Sequence, residues 1–388
     1  MASRRAPVRS ALSWLQCSCR RVGLMMTLAL AGCAPLTPAP EPAMSVMSVR
    51  LPLGLAGITD SRQDFATLFE REWHAGPARQ GEVIGDWLHG VSPSTEAANE
   101  TLAALRAAFA ARAAGTSVLV VPGLFGDCVD SQSVPFGDGV VRTRERSTTE
   151  AYLQYGDLGL AGIRSISLPG RETSIRNGLR LAEQIRLEAA RPDVTRIVLV
   201  AYSKGVPDAL HALAQLQAEG GIPASVTALV SVAGVVMGKP FADHFEPLFE
   251  ILSPQLQPFD CSPSDGREIS SVTRRERVAW LQAHPLPEGL RYYSIVAHAP
   301  REEIGAGLRA VYTAMSVLDA HNDGQLFASD AILPGSTLLA EARADHWDVA
   351  LPRDRHPSFI VRAVGSGRAY PREALFRATI QWVVATGH

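Results

Sequence analysis

Short apolar runs recur along this chain and are separated by longer segments with apolar residues at helical spacing. Residues 118–121 read Val-Leu-Val-Val, residues 197–200 read Ile-Val-Leu-Val, and residues 226–233 are nearly as apolar. Runs this short, with little polar alternation, predict strands covered on both faces. Residues 163–168, 292–297 and 336–342 are the other predicted strands. Helical spacing predicts helices over 60–72, 95–113, 173–190, 206–216, 301–318 and 372–385. The helix at 95–113 follows Ser94-Thr95-Glu96 and is alanine-rich, a strong helix-forming composition. That at 173–190 is stopped by Arg191-Pro192. Strands alternating with helices from about residue 116 onward predict an α/β fold, a mostly parallel central sheet flanked by helices.

Two stretches break the alternation. Residues 127–159 are polar and contain glycine, and read as an insertion. Residues 237–287 hold seven prolines beside a partly helical apolar face made by Phe241, Phe245, Leu248, Phe249, Ile251 and Leu252. This second insertion reads either as a cap or as a packed helical excursion.

The predicted strand at 197–201 runs into Ala201-Tyr202-Ser203-Lys204-Gly205 and then a predicted helix. A serine on a sharp strand-to-helix turn is lifted above the sheet edge as a nucleophile. Small residues two before and two after relieve the crowding of such a turn, so Ala201 serves where glycine is usual. The helix that follows turns its N-terminal amides toward the same point. Downstream lie His321-Asn322-Asp323-Gly324 and Ala344-Asp345-His346-Trp347. They supply an acid and a base in the order Ser203, Asp323, His346. Asp319 and Asp330 are close enough in sequence to stand in for Asp323. Asp345 reads as a loop-turn carboxylate. His321 precedes the acid and breaks the order. Upstream, the strand at 117–121 is followed by Pro122-Gly123-Leu124-Phe125-Gly126-Asp127.

With these four loops the chain from about Thr116 onward resembles the α/β-hydrolase superfamily, particularly its bacterial lipases and esterases. Pro122 departs from the histidine often found before the glycine of the first loop. The resemblance implies an α/β-hydrolase fold with a cap insertion in which a lid shapes an acyl pocket. It implies that Ser203, Asp323 and His346 are the catalytic triad, and that the backbone amides of Leu124 and Lys204 form the oxyanion hole. The expected reaction is hydrolysis of a carboxylic ester or lipid through an acyl-enzyme, with no cofactor and no metal. An acyltransferase using the same triad, or a non-catalytic envelope binding protein on the same fold, are the alternative readings.

Residues 1–32 carry five arginines and no acidic residue, and 22–31 form an apolar run too short to span a bilayer. The run ends in Leu30-Ala31-Gly32-Cys33, which resembles the bacterial lipobox. The resemblance implies removal of 1–32 as a lipoprotein signal peptide and lipidation (palmitate included) of Cys33. Residues 33–49 are expected to form a tether, extended by Pro35, Pro38, Pro40 and Pro42, to a hydrolase domain at 50–388. Alanine after Cys33 implies sorting to the periplasmic side of the outer membrane, so the membrane is an expected partner through this anchor. Without 1–32 the chain holds 32 basic against 39 acidic residues, a net charge of −7, which argues against a nucleic-acid partner. Only two of the 37 basic residues are lysines, Lys204 and Lys239. Cys128 and Cys261 are the thiols left after processing. In an oxidising compartment they are the candidate pair for a disulfide.

Overall fold

The computed structural model describes residues 57–76, 81–94, 96–124, 155–252, 267–351 and 362–387. The leader and tether, Cys33, Cys128, Cys261, most of the 127–159 insertion and residues 253–266 of the second insertion lie outside the described residues.

Among the described residues, seven strands make one sheet: β1 (Thr59–Asp60), β2 (Thr116–Val121), β3 (Gly162–Ser165), β4 (Arg196–Tyr202), β5 (Val226–Val232), β6 (Arg291–His298) and β7 (Thr337–Arg343). Their order is β1-β7-β6-β5-β4-β2-β3, and every neighbouring pair is parallel. The helices among the described residues are α1 (Arg62–His74), α2 (Glu96–Ala113), α3 (Ser174–Ala189), α4 (Gly205–Ala218), α5 (Ala242–Leu252), α6 (Arg274–Ala283), α7 (Arg309–Ser316) and α8 (Arg372–Thr386). This is the parallel sheet flanked by helices that the strand and helix alternation predicts.

The unbroken apolar runs are explained by the two cores they serve. Val118, Val120, Val198, Val200 and Tyr202 join one core with Phe65 and Phe69 of α1, Phe109 of α2 and Ile380 of α8. Leu119, Val121, Ile197, Leu199 and Ala201 face the other way, into a core with Leu181 and Ile185 of α3 and Leu210 and Leu213 of α4. Side chains alternate between faces at a period of two, so a strand with helices on both sides needs apolar residues at every position. Each such side chain contributes about 1.5–3 kcal/mol when fully buried.

The helix predicted over 301–318 is shorter than expected. Arg301–Glu303 form a single 3-10 turn, and α7 starts only at Arg309. Close packing sets this limit. A Cβ on Gly305 would stand 2.8 Å from the Val364 carbonyl oxygen, and one on Gly307 2.8 Å from the Trp347 ring. The chain between the two elements is therefore held as a loop against Asp345, Trp347 and Val364. The second insertion carries α5 and α6. No helix among the described residues is long and apolar enough to cross a membrane.

Strand order reverses between β2 and β4. The chain runs outward from β2 to β3 and then back across β2 to β4 and beyond. The loops leaving β2 and β4 diverge at their carboxyl ends, which opens a crevice at the switch point where ligands bind in open α/β sheets. Gly123 and Ser203 meet there, a Cβ on Gly123 falling 3.0 Å from the Ser203 Cβ.

Candidate active site at the switch point

Ser203 lies on the turn between the end of β4 at Tyr202 and the start of α4 at Gly205. It has a φ of 52°, left-handed backbone that a non-glycine residue rarely adopts. The surrounding chain holds it there. Its amide donates to the Val232 carbonyl at 3.1 Å, and its own carbonyl accepts from the Val206 and Val235 amides, each at 3.1 Å. Gly205 makes the turn sterically feasible. A Cβ there would lie 2.4 Å from the Val121 carbonyl oxygen and 2.7 Å from that of Pro122, both backbone atoms that cannot swing aside. Gly205→Ala should therefore destabilise the fold by on the order of 3 kcal/mol. An unchanged melting temperature in that variant would show that the β2 loop yields.

The acid loop is built by its own side chains. Asn322 donates to the Asp319 carbonyl at 2.9 Å and to the Ser316 hydroxyl at 3.1 Å, while its side-chain oxygen accepts from the Gly324 amide at 3.1 Å. Gly324 takes a φ of 86° to complete the turn. Asp323 is then presented with Oδ1 accepting from the amides of Gln325 (2.8 Å) and Leu326 (2.7 Å). Its second oxygen, Oδ2, lies 2.7 Å from His346 Nδ1.

His346 is held from three sides. Its amide donates to the Asp323 carbonyl at 2.9 Å, and the buried Tyr202 hydroxyl donates to the His346 carbonyl at 2.7 Å. The two rings lie 5.4 Å apart. Asp345 shapes the loop around it, accepting from the amides of Trp347 (3.0 Å), Asp348 (2.8 Å) and Gly305 (2.8 Å). His346 Nε2 stands 2.9 Å from Ser203 Oγ. When Nδ1–H donates to Asp323, Nε2 keeps its lone pair and accepts from the Ser203 hydroxyl. Ser203, Asp323 and His346 are 3%, 1% and 1% exposed, so this line of hydrogen bonds runs in a poorly hydrated site.

The neighbouring acids are engaged elsewhere. Asp319 Oδ1 accepts from both the amide and Nδ1 of His321, each at 2.8 Å. The Asp319 hydrogen bond raises the His321 pKa against the opposing effect of burial. Asp330 is paired with Arg274. Of the two expected oxyanion donors, Leu124 is half-buried in the loop after β2 and Lys204 follows the serine directly. Neither backbone amide has an acceptor among the described residues. Among those residues no group of three or more His, Cys, Asp or Glu side chains is arranged to hold a metal ion.

Sequence reasoning overlooked three features here. The Lys204 ammonium, 1% exposed, pairs with Asp208 at 2.9 Å and 3.0 Å, and Asn177 of α3 donates to the same carboxylate at 2.9 Å. The four-residue spacing of Lys204 and Asp208 on one helix was the available signal. The Tyr202 hydrogen bond and the Lys239 side chain had no local signal, because their partners are far along the chain.

No protein-family model matches the sequence, and no curated protein does. Among solved structures, the metagenomic carboxyl esterase MGS0156 is 30% identical over 93% of this chain and 98% of its own, with a TM-score of 0.67. The mature lipase BlEst2 of Bacillus licheniformis is 18% identical over 69% of this chain and 92% of its own, with a TM-score of 0.47, a likeness too remote to argue from. The first likeness runs through nearly the whole of both chains and accompanies a parallel sheet with a serine at its switch point: the chain belongs to the α/β-hydrolase superfamily.

Proposed function

We propose that this protein hydrolyses carboxylic esters with Ser203 as nucleophile, His346 as general base and then acid, and Asp323 as the carboxylate that orients the imidazole. The observation that carries this reading is the continuous line Ser203 Oγ–His346 Nε2, His346 Nδ1–Asp323 Oδ2, at 2.9 Å and 2.7 Å. His346 takes the hydroxyl proton as Ser203 attacks the ester carbonyl. Asp323 stabilises the imidazolium that results. The amides of Leu124 and Lys204 receive the oxyanion, each such donor contributing about 10²–10³ in turnover. His346 then protonates the departing alcohol, and water, activated by the same imidazole, releases the acid. The carboxyl esterase activity named for the 30%-identical MGS0156 favours a carboxylic ester as the substrate.

Labelling by a fluorophosphonate tests the reading, because only an activated serine reacts. Stoichiometric labelling at Ser203, together with turnover of p-nitrophenyl esters, is expected. A folded protein that takes no label is a binding protein on this fold, and transfer to an added alcohol in preference to water would make it an acyltransferase.

The same proposal includes the envelope location. Cys33 carries the lipid, 33–49 is the tether, and the enzyme works at the periplasmic side of the outer membrane. The supporting observation is the match of residues 30–33 to the lipobox. Cys33→Ser should abolish incorporation of labelled palmitate and leave the leader uncleaved. Normal labelling of that variant would refute the anchor.

A further inference from the structure

The chain uses arginine almost everywhere it needs a cation, yet one of its only two lysines follows the serine and the other reaches the acid loop. Lys204 is neutralised by Asp208. Lys239 has a different environment. It lies on the loop after β5, where its amide donates to the Val272 carbonyl at 2.8 Å and residue 239 bridges Thr273. The adjacent Gly238, with a φ of 91°, sits so close to α6 that a Cβ would fall 2.4 Å from the Arg274 Cα. The backbone of Lys239 is thus clamped in place. From there the side chain reaches the acid loop, and its ammonium donates to the Gln325 side-chain oxygen. Gln325 is also the residue whose amide donates to Asp323 Oδ1 at 2.8 Å.

We propose that Lys239 is a positioning residue for Asp323: by gripping Gln325 it fixes the turn whose amides hold the carboxylate, and it keeps a positive charge within reach of that carboxylate. This rests on the triad reading above. Among the described residues, the charged groups on the elements around Lys239 include Asp323 on the acid loop, Asp330 and Arg274 paired with each other, the buried Arg277 of α6, bonded to the Val236 carbonyl at 3.3 Å, and Asp243. Asp243 accepts from the Arg274 and Arg275 amides at the start of α6. Arg275 itself pairs with Glu246 of α5. Burial draws the Lys239 pKa down to about 8, and the Asp323 carboxylate opposes that shift. At neutral pH the ammonium is therefore mostly charged.

The test is kcat and KM for wild type, Lys239→Met, Lys239→Arg and Gln325→Met, with fluorophosphonate titration of active serines. For Lys239→Met we expect kcat to fall roughly tenfold to a hundredfold, as for a misplaced catalytic group. KM for a small ester should change little. Lys239→Arg should recover most of the lost kcat, because it keeps the charge and a donor for Gln325. Gln325→Met should lower kcat likewise, and it carries the test if Lys239→Met does not fold. Wild-type kcat in Lys239→Met, a loss in Lys239→Arg as large as in Lys239→Met, or wild-type kcat in Gln325→Met would overturn the proposal. Ser203→Ala, assayed alongside, separates the two ideas. Full activity in that variant defeats the triad reading. An inactive Ser203→Ala beside wild-type kcat in Lys239→Met defeats only the role of Lys239.

Discussion

Ser203→Ala is expected to lower kcat for a short-chain ester by about 10⁴- to 10⁶-fold, the loss typical of a removed triad nucleophile. The fold should survive. The hydroxyl bonds to His346, whereas the turn itself is held by the Ser203 amide and carbonyl, which alanine retains. The melting temperature should therefore stay close to that of wild type, and fluorophosphonate labelling should vanish. Such a pattern separates chemistry from stability. Turnover within tenfold of wild type, in pure and folded Ser203→Ala, would defeat the assignment of the nucleophile.

Asp323→Asn is expected to cost about 10⁴-fold in kcat with little change in KM. The asparagine oxygen still accepts from the Gln325 and Leu326 amides, so the loop keeps its shape. Its amide group, however, turns two N–H donors toward His346 Nδ1. The imidazole must then accept at Nδ1 and carry its proton on Nε2, where no lone pair is left for the Ser203 proton. Asp319→Asn and Asp330→Asn are the controls. Both should keep kcat within a few-fold of wild type, since Asp319 serves His321 and Asp330 serves Arg274. A large loss in either control with a small one in Asp323→Asn would reassign the acid.

Much of this could be read in the sequence because the informative residues are local. Strands β2 and β4 are buried on both faces, so their apolar runs stand out without knowledge of their neighbours. The serine turn is also local, with its strand, its small flanking residues and its helix consecutive in the chain. The choice of Asp323 over Asp319 needed more, because three acids within a dozen residues are separated only by where each carboxylate points. Helix 301–318 was overextended because the close approach of Gly305 and Gly307 to Asp345, Trp347 and Val364 leaves no trace in helical periodicity. Tyr202 and His346 lie 144 positions apart, and Lys239 and Gln325 lie 86 apart. Their hydrogen bonds exist only once the sheet brings the loops to one edge. Strand β1 has two residues, too few to show an alternation.

The closing helix α8 packs against α1 and α2, with Phe65 and Trp382 meeting edge to face at 6.1 Å and Arg377 bonded to Glu72 at 2.9 Å. That contact joins segments more than 300 residues apart. During synthesis, Phe65 and Phe69 cannot reach their final partners until residues 372–386 have left the ribosome. The first helices made must wait, exposed or transiently covered, while the rest of the sheet is translated. Non-local closure of this kind slows folding and lengthens the aggregation-prone interval. It also leaves a nascent chain without its last helix open for longer, which suits any process that must handle the polypeptide before it becomes compact.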